Sequence, residues 1–173
     1  AQAHLHLHLD LAPTAHVLGW DASVLGRYAS GEAWHSAEKD QGLPSYVALD
    51  NRIACGEHLL WVEQGKVQSD DALLHSICGW HHYPVQASFW AASPRCNTEL
   101  VERLAQVLPW QDSVRAGVSL LAAAPEQALP AVALVRILAH TMEPVRRLLI
   151  NLRSIARPYV LGVDDVPLLL WAT

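Results

Sequence analysis

Hydrophobic and polar residues alternate strictly over residues 4–10, His-Leu-His-Leu-His-Leu-Asp. A period of two marks a β-strand with unlike faces. Leu5, Leu7 and Leu9 are expected to face a core, and His4, His6, His8 and Asp10 to line the other side. Pro13 and Thr14 end the strand. Val17, Trp20, Val24 and Tyr28 then recur at near-helical intervals, which predicts a short helix over 21–30 with Asp21 as a cap inside it. Residues 30–45 mix Gly31, Gly42 and Pro44 with polar residues and read as a surface loop, a candidate lid or contact loop. Ser45 to Leu49 opens a strand, and residues 58–67 read as strand, turn, strand. A helix over 47–63 competes with that reading, but Gly56 opposes it by about 1 kcal/mol.

Ser69-Asp70-Asp71 has the chemistry of a helix start, an N-capping hydroxyl and two carboxylates that favour the positive end of the dipole. Leu73, Leu74, Ile77 and Trp80 supply an apolar face, and Gly79 is a natural left-handed stop. Val85 to Ala91 reads as an apolar strand. From Asn97 the pattern turns helical. A helix capped by Asn97 runs to Pro109, and a second starts at Asp112 or Ser113 with Val114, Val118 and Leu121 inward. Ala131 to His140 reads as a third, and a fourth, capped by Thr141, stops before Pro158. Val166 to Trp171 forms an apolar tail.

These elements predict an α+β fold, a small, mostly antiparallel sheet from the N-terminal half packed on a C-terminal helical bundle. The chain is expected to be a single domain over 1–173, with a mixed strand and helix part at 1–95, a helical part at 96–160 and a tail at 161–173. At 173 residues it can bury a core without needing disulfides or metal.

Composition adds the first functional hint. Apolar residues make up 51% and charged residues 17%, below the usual quarter, so some apolar surface is expected to meet a protein partner. Seven tryptophans against one phenylalanine suit either an interface or a core. The net charge of −5 lies in residues 1–98, and the rest is balanced, which argues against nucleic acid. No apolar run approaches the ~20 residues that cross a bilayer, so no membrane association is expected. Three sparse cysteines fit a reducing, cytoplasmic setting better than a disulfide framework.

The most specific chemical signal is a repeated four-residue pattern, Cys55-Gly56-Glu57-His58 and Cys78-Gly79-Trp80-His81. Zinc prefers four thiolate or imidazole ligands, and a short spacing delivers two from one tight turn. Cys55, His58, Cys78 and His81 are therefore a candidate metal set, with His75 and His82 in reserve and Glu57 as a general base for a metal-bound water. The plainer reading makes the cysteines small buried hydrophobes, with no cofactor, and it carries more weight. The same weighing on the first strand favours a half-exposed strand over a dedicated metal site, although three imidazoles on one face would take up nickel or zinc. Arg146, Arg153 and Arg157 are spaced by seven and four and share a helical face, a candidate contact for an acidic partner such as the N-terminal part of a second copy. There is no Gly-rich phosphate loop, no Gly-x-Ser-x-Gly and no His-Glu-x-x-His.

The expected function is a non-enzymatic interaction protein, an accessory or assembly subunit of a larger complex. A zinc-dependent enzyme or zinc-stabilised module built on the two Cys-Gly-x-His elements is the alternative. A small-molecule binder with a tryptophan-lined pocket is a second one.

Overall fold

Two nine-residue strands buried along almost their whole length set the architecture. They are Val85–Ser93, buried at every position, and Ala131–Ala139, buried at all but Arg136 and Leu138. The structure, a computed structural model, describes residues 2–26, 31, 34, 45–124 and 127–167. In chain order its elements are β1 (Gln2–Asp10), β2 (Val17–Val24), β3 (Tyr46–Cys55), β4 (His58–Gln68), β5 (Val85–Ser93), α1 (Thr98–Ala105), β6 (Trp110–Gln111), β7 (Val114–Leu121), β8 (Ala131–Ala139) and α2 (Met142–Ala156). A π-helical turn, Arg157–Leu161, continues α2 and ends at Gly162 in the left-handed conformation.

The strands form two sheets. One is antiparallel throughout, in the order β2-β5-β8-β7-β6. The other has the order β1-β3-β4, with β1 parallel to β3 and β3 antiparallel to β4. Alternation along a strand decides which face each residue serves. Val85, Ala87, Phe89 and Ala91 of β5, with Ala133, Val135 and Ile137 of β8, pack under Leu100, Leu104, Val145, Leu149 and Leu152 of the helices. The opposite face of the same strands gives Trp90, Ala92, Val132 and Leu134, which pack on Ile53 and Trp61 of the smaller sheet. The five-stranded sheet is thus the middle layer of three. A third cluster, Leu25, Val67, Leu74 and Trp80, fills the far end.

The α+β class and the antiparallel bias match the expectation, but the C-terminal helical bundle does not exist. Among the described residues there are two α-helices, α1 and α2. Residues 114–121 and 131–139, read as helices, are strands. For 131–139 the physical reason lies in double burial, whereas 114–121 is only partly buried and its Val114, Val118 and Leu121 happen to fall at helical spacing. A strand covered on both faces loses its polar alternation and becomes an apolar run, which periodicity cannot tell from a buried helix. The predicted helix over 21–30 is likewise overturned where it is described: Val17–Val24 is a strand. Leu18 and Trp20 pack toward the helix-side core while Val17 packs between the sheets.

Smaller expectations also shift. Residues 58–68 are one continuous strand, and the turn falls earlier, at Gly56, whose φ of 58° suits a residue without a side chain. The helix expected after Ser69 is a single 3₁₀ turn, Ala72–Leu74, capped by the Asp71 carboxylate rather than by serine. Gly79 is not a left-handed stop. A Cβ there would sit 2.1 Å from the Leu73 carbonyl oxygen, so close approach demands glycine. His81 and His82 instead take positive φ, 48° and 65°. Asn97 caps α1 as expected, accepting from Leu100 N–H at 3.0 Å, whereas Thr141 stands at the start of α2 without a side-chain cap bond. The loop expected at 30–45 is described at Gly31, Trp34 and Ser45, and its other residues lie outside the described ones. So does the apolar tail beyond Pro167.

Gly19 of β2 tests the packing between the layers. A Cβ added there would lie 2.4 Å from the ring of the buried Trp90. Gly19→Ala should destabilise the fold by about 1–3 kcal/mol through overpacking. Gly65→Ala, at a position with no atom within 4 Å of the added carbon, should cost nothing or stabilise by up to about 1 kcal/mol in the same denaturant titration.

Candidate functional site

The space between the two sheets is apolar at one end and polar at the other. Asp21 of β2, Ser88 of β5 and Arg136 of β8 pair in register and form one row across the middle sheet. Alternation places this row on the face toward the smaller sheet, where Glu63 of β4 meets it and pairs with Arg136. Asn51, the register partner of Glu63 on β3, is buried as well. Glu63 and Arg136 also line a cavity of about 370 Å³ that includes Gln86, Cys78, Gly79 and Trp80.

The electrostatics of this polar seam are unbalanced. Burial pushes the Asp21 carboxyl up to about 6, the negative charge of Glu63 adds to the effect, and the positive charge of Arg136 opposes it. Arg136 pairs with Glu63, and its charge only partly offsets the burial of Asp21. The Ser88 hydroxyl, the second Glu63 oxygen and the Trp61 and Trp90 indole nitrogens are buried without a hydrogen-bond partner among the described residues. A seam with spare acceptors, a spare hydroxyl and a carboxyl that titrates near neutrality suits a small polar or cationic guest.

The residues singled out from the sequence lie elsewhere, apart from Cys78. Cys55 and His58 are register partners flanking the β3–β4 turn, Cys55 buried and His58 exposed. Cys78 is exposed in the loop after the 3₁₀ turn and lines the cavity beside Leu49 and Gly65. Leu49 lies six residues before Cys55 on β3, about 20 Å along an extended strand. The two Cys-Gly-x-His elements therefore do not converge. His75 and His82 meet, with Nδ1 atoms 3.1 Å apart. Arg146, Arg153 and Arg157 bind their own chain. Arg153 is buried, pairs with Asp165 and donates to the Val166 carbonyl at 2.8 Å. Arg157 donates to the Asp164 carbonyl at 3.0 Å, and Arg146 pairs with Glu143 at 3.0 Å.

Asp21, Glu63, Ser88 and Arg136 escaped the sequence reading. A signal for two of them is visible in hindsight: Arg136 is a lone charge in an apolar nonamer, and Ser88 a lone hydroxyl beside Phe89 and Trp90. A polar residue inside a doubly buried strand needs a partner, and the partner's strand cannot be read locally.

A carboxyl whose folded pKa lies above its unfolded value of 3.8 holds its proton more tightly in the folded chain. That stabilisation is complete below pH 3.8 and is lost as pH rises through about 6. Carbon-detected NMR should therefore find an Asp21 titration midpoint near 6. Glu63→Gln should move that midpoint down by removing the like charge, and Asp21→Asn should flatten the dependence of stability on pH between 4 and 6.

Comparison with known proteins fits this two-sheet chain into a family. The family model described as UreD urease accessory protein matches residues 1–172. Relatives named urease accessory protein UreD include those of Delftia acidovorans, 44% identical over all of this chain and 57% of the relative, and of Cupriavidus pinatubonensis, 36% identical over all of the chain and 56% of the relative. A third, from Polynucleobacter asymbioticus, is 35% identical over all of the chain and 54% of the relative. The chain spans a little over half the length of these curated relatives. On that match, over nearly every residue and at such identity, the chain belongs to the UreD urease accessory protein family.

Proposed function

We propose that this chain acts without catalysis of its own, as an accessory subunit that binds other protein components during urease assembly in the cytoplasm. Family membership supports the accessory role. The observation that carries a binding surface is Trp110. It lies on the two-residue edge strand β6 and is 75% exposed. The Arg115 guanidinium sits 5.6 Å from the Trp110 ring and 5.6 Å from the Tyr83 ring, so the arginine is held against both. Tyr83 is fixed in turn by its hydroxyl, which donates to the Asp112 carbonyl at 3.0 Å, and by contact with the His140 ring at 4.5 Å. Tryptophan, tyrosine and arginine are the residues that most often dominate interface energies, because they bury large area with little conformational freedom to lose. The loop that supplies Tyr83 also presents Ile77 at 81% exposure. Among the described residues no helix is long and apolar enough to cross a membrane.

A second reading rests on the polar seam, where Trp80, Gln86 and Glu63 line a cavity fit for a small polar ligand. In that reading Glu63 receives the guest, and protein binding brings the seam to its acceptor.

Trp110→Ala and Ile77→Asp should each weaken binding to purified urease subunits or their other accessory proteins at least about 10-fold, the loss expected at an interface anchor. Melting temperature should stay unchanged, since both side chains are exposed. Unchanged affinity in both variants would remove this surface from the function. Self-association lost in the same variants would make a second copy the partner.

A further inference from the structure

We propose that His6, His8 and Asp50 form a binding site for one divalent transition-metal ion on the outer face of the three-stranded sheet. One donor atom from each lies within 4.8 Å of the others. The site follows from strand register. β1 runs parallel to β3, which puts His6 directly beside Asp50. His8 lies two residues further on the same face and reaches back diagonally. His6 Nδ1 stands 3.4 Å from Asp50 Oδ2, and His8 Nε2 stands 3.1 Å from the same oxygen. A tetrahedral ion with bonds of about 2.0–2.1 Å needs donor-to-donor edges of about 3.3 Å. The two measured edges bracket that length, and the third, between the imidazoles, is no more than 4.8 Å, so rotation of the exposed imidazoles closes the set on an ion.

The carboxylate is oriented from the opposite side. Gln64, register partner of Asp50 on β4, donates from Nε2 to Oδ1 at 2.7 Å. This bond leaves Oδ2 directed at the imidazoles, the role that outer-shell hydrogen bonds serve in metal sites. His4 adds a further tier. Its ring is parallel to that of His6 at 6.0 Å and it hydrogen-bonds the Tyr46 hydroxyl at 2.7 Å. Two imidazole nitrogens and one carboxylate oxygen favour zinc, nickel, cobalt or copper over magnesium or calcium, which prefer all-oxygen shells. Three protein ligands leave at least one coordination position for water or for a donor from another molecule.

The three ligands lie on the opposite face of the sheet from the polar seam, although Gln64 also borders the seam's cavity, and they are separate from the Trp110 surface. The site does not depend on the proposed protein partner. The test is isothermal titration of the tag-free chain with zinc and with nickel, alongside X-ray absorption of the cobalt-loaded protein. One ion per chain is expected, with a nitrogen and oxygen first shell and no sulfur. His8→Ala and Asp50→Asn should abolish that binding. Gln64→Ala should weaken it about 10-fold, as outer-shell changes do. His75→Ala with His82→Ala should leave it intact. His6 and His8 are exposed and Asp50 is half-buried on the outer face, so circular dichroism should not change and melting temperature should shift little in the variants. Binding that persists in His8→Ala and Asp50→Asn, or that is lost only with His75 and His82, would overturn the proposal. So would magnesium competing equally with zinc.

Discussion

Burial of β5 and β8 on both faces is the constraint on which the rest of this structure depends. These two strands pair along their full length, and helices cover one side while the smaller sheet covers the other. Each large apolar side chain buried there contributes on the order of 1.5–3 kcal/mol. The helix side is uniformly apolar, from Val85 and Phe89 to Val135 and Ile137. The other side changes character along its length, from Trp90 and Leu134 to Ser88 and Arg136. That change divides a sealed core from a polar seam.

The seam holds groups that a stability argument alone would not retain. The Arg136–Glu63 pair has one half-exposed and one mostly buried member, and such pairs return little net stability. The Arg136 charge only partly offsets the burial of Asp21, which keeps its proton up to about pH 6. Ser88 Oγ and Glu63 Oε2, unpartnered among the described residues, increase the cost. Buried polar groups held at a loss are characteristic of sites that receive something, which is why the seam rather than the cysteines is the candidate site.

The functions proposed for this chain lie on faces that strand alternation keeps apart. The smaller sheet turns Leu7, Leu9, Ile53 and Trp61 inward and His6, His8, Asp50 and Gln64 outward. The middle sheet presents the exposed Trp110 at the β6 edge, where no further strand follows among the described residues. An accessory protein that engages a partner at one edge can thereby keep both the seam and the histidine face accessible.

The sequence by itself determined the elements whose two sides differ. β1 is legible because its leucines meet the core and its histidines meet water, and α2 because Val145, Leu148, Leu149 and Leu152 form one stripe. Low charge, abundant tryptophan and the lack of a specific catalytic motif pointed toward an accessory role. The identity of β7 and β8, and the residues of the seam, were decided only by tertiary structure. A strand covered on both faces carries no period, so Ala131–Ala139 reads as readily helical. The seam and the histidine site join residues from different strands: Arg136 pairs with Glu63 and partly offsets the burial of Asp21, and His6 meets Asp50. Cys55 and Cys78 were linked by a local pattern, but the chain path carries them to different ends of β3. Local spacing describes one turn of chain at a time, and cross-strand neighbours are set by register, which exists only after the sheets have formed.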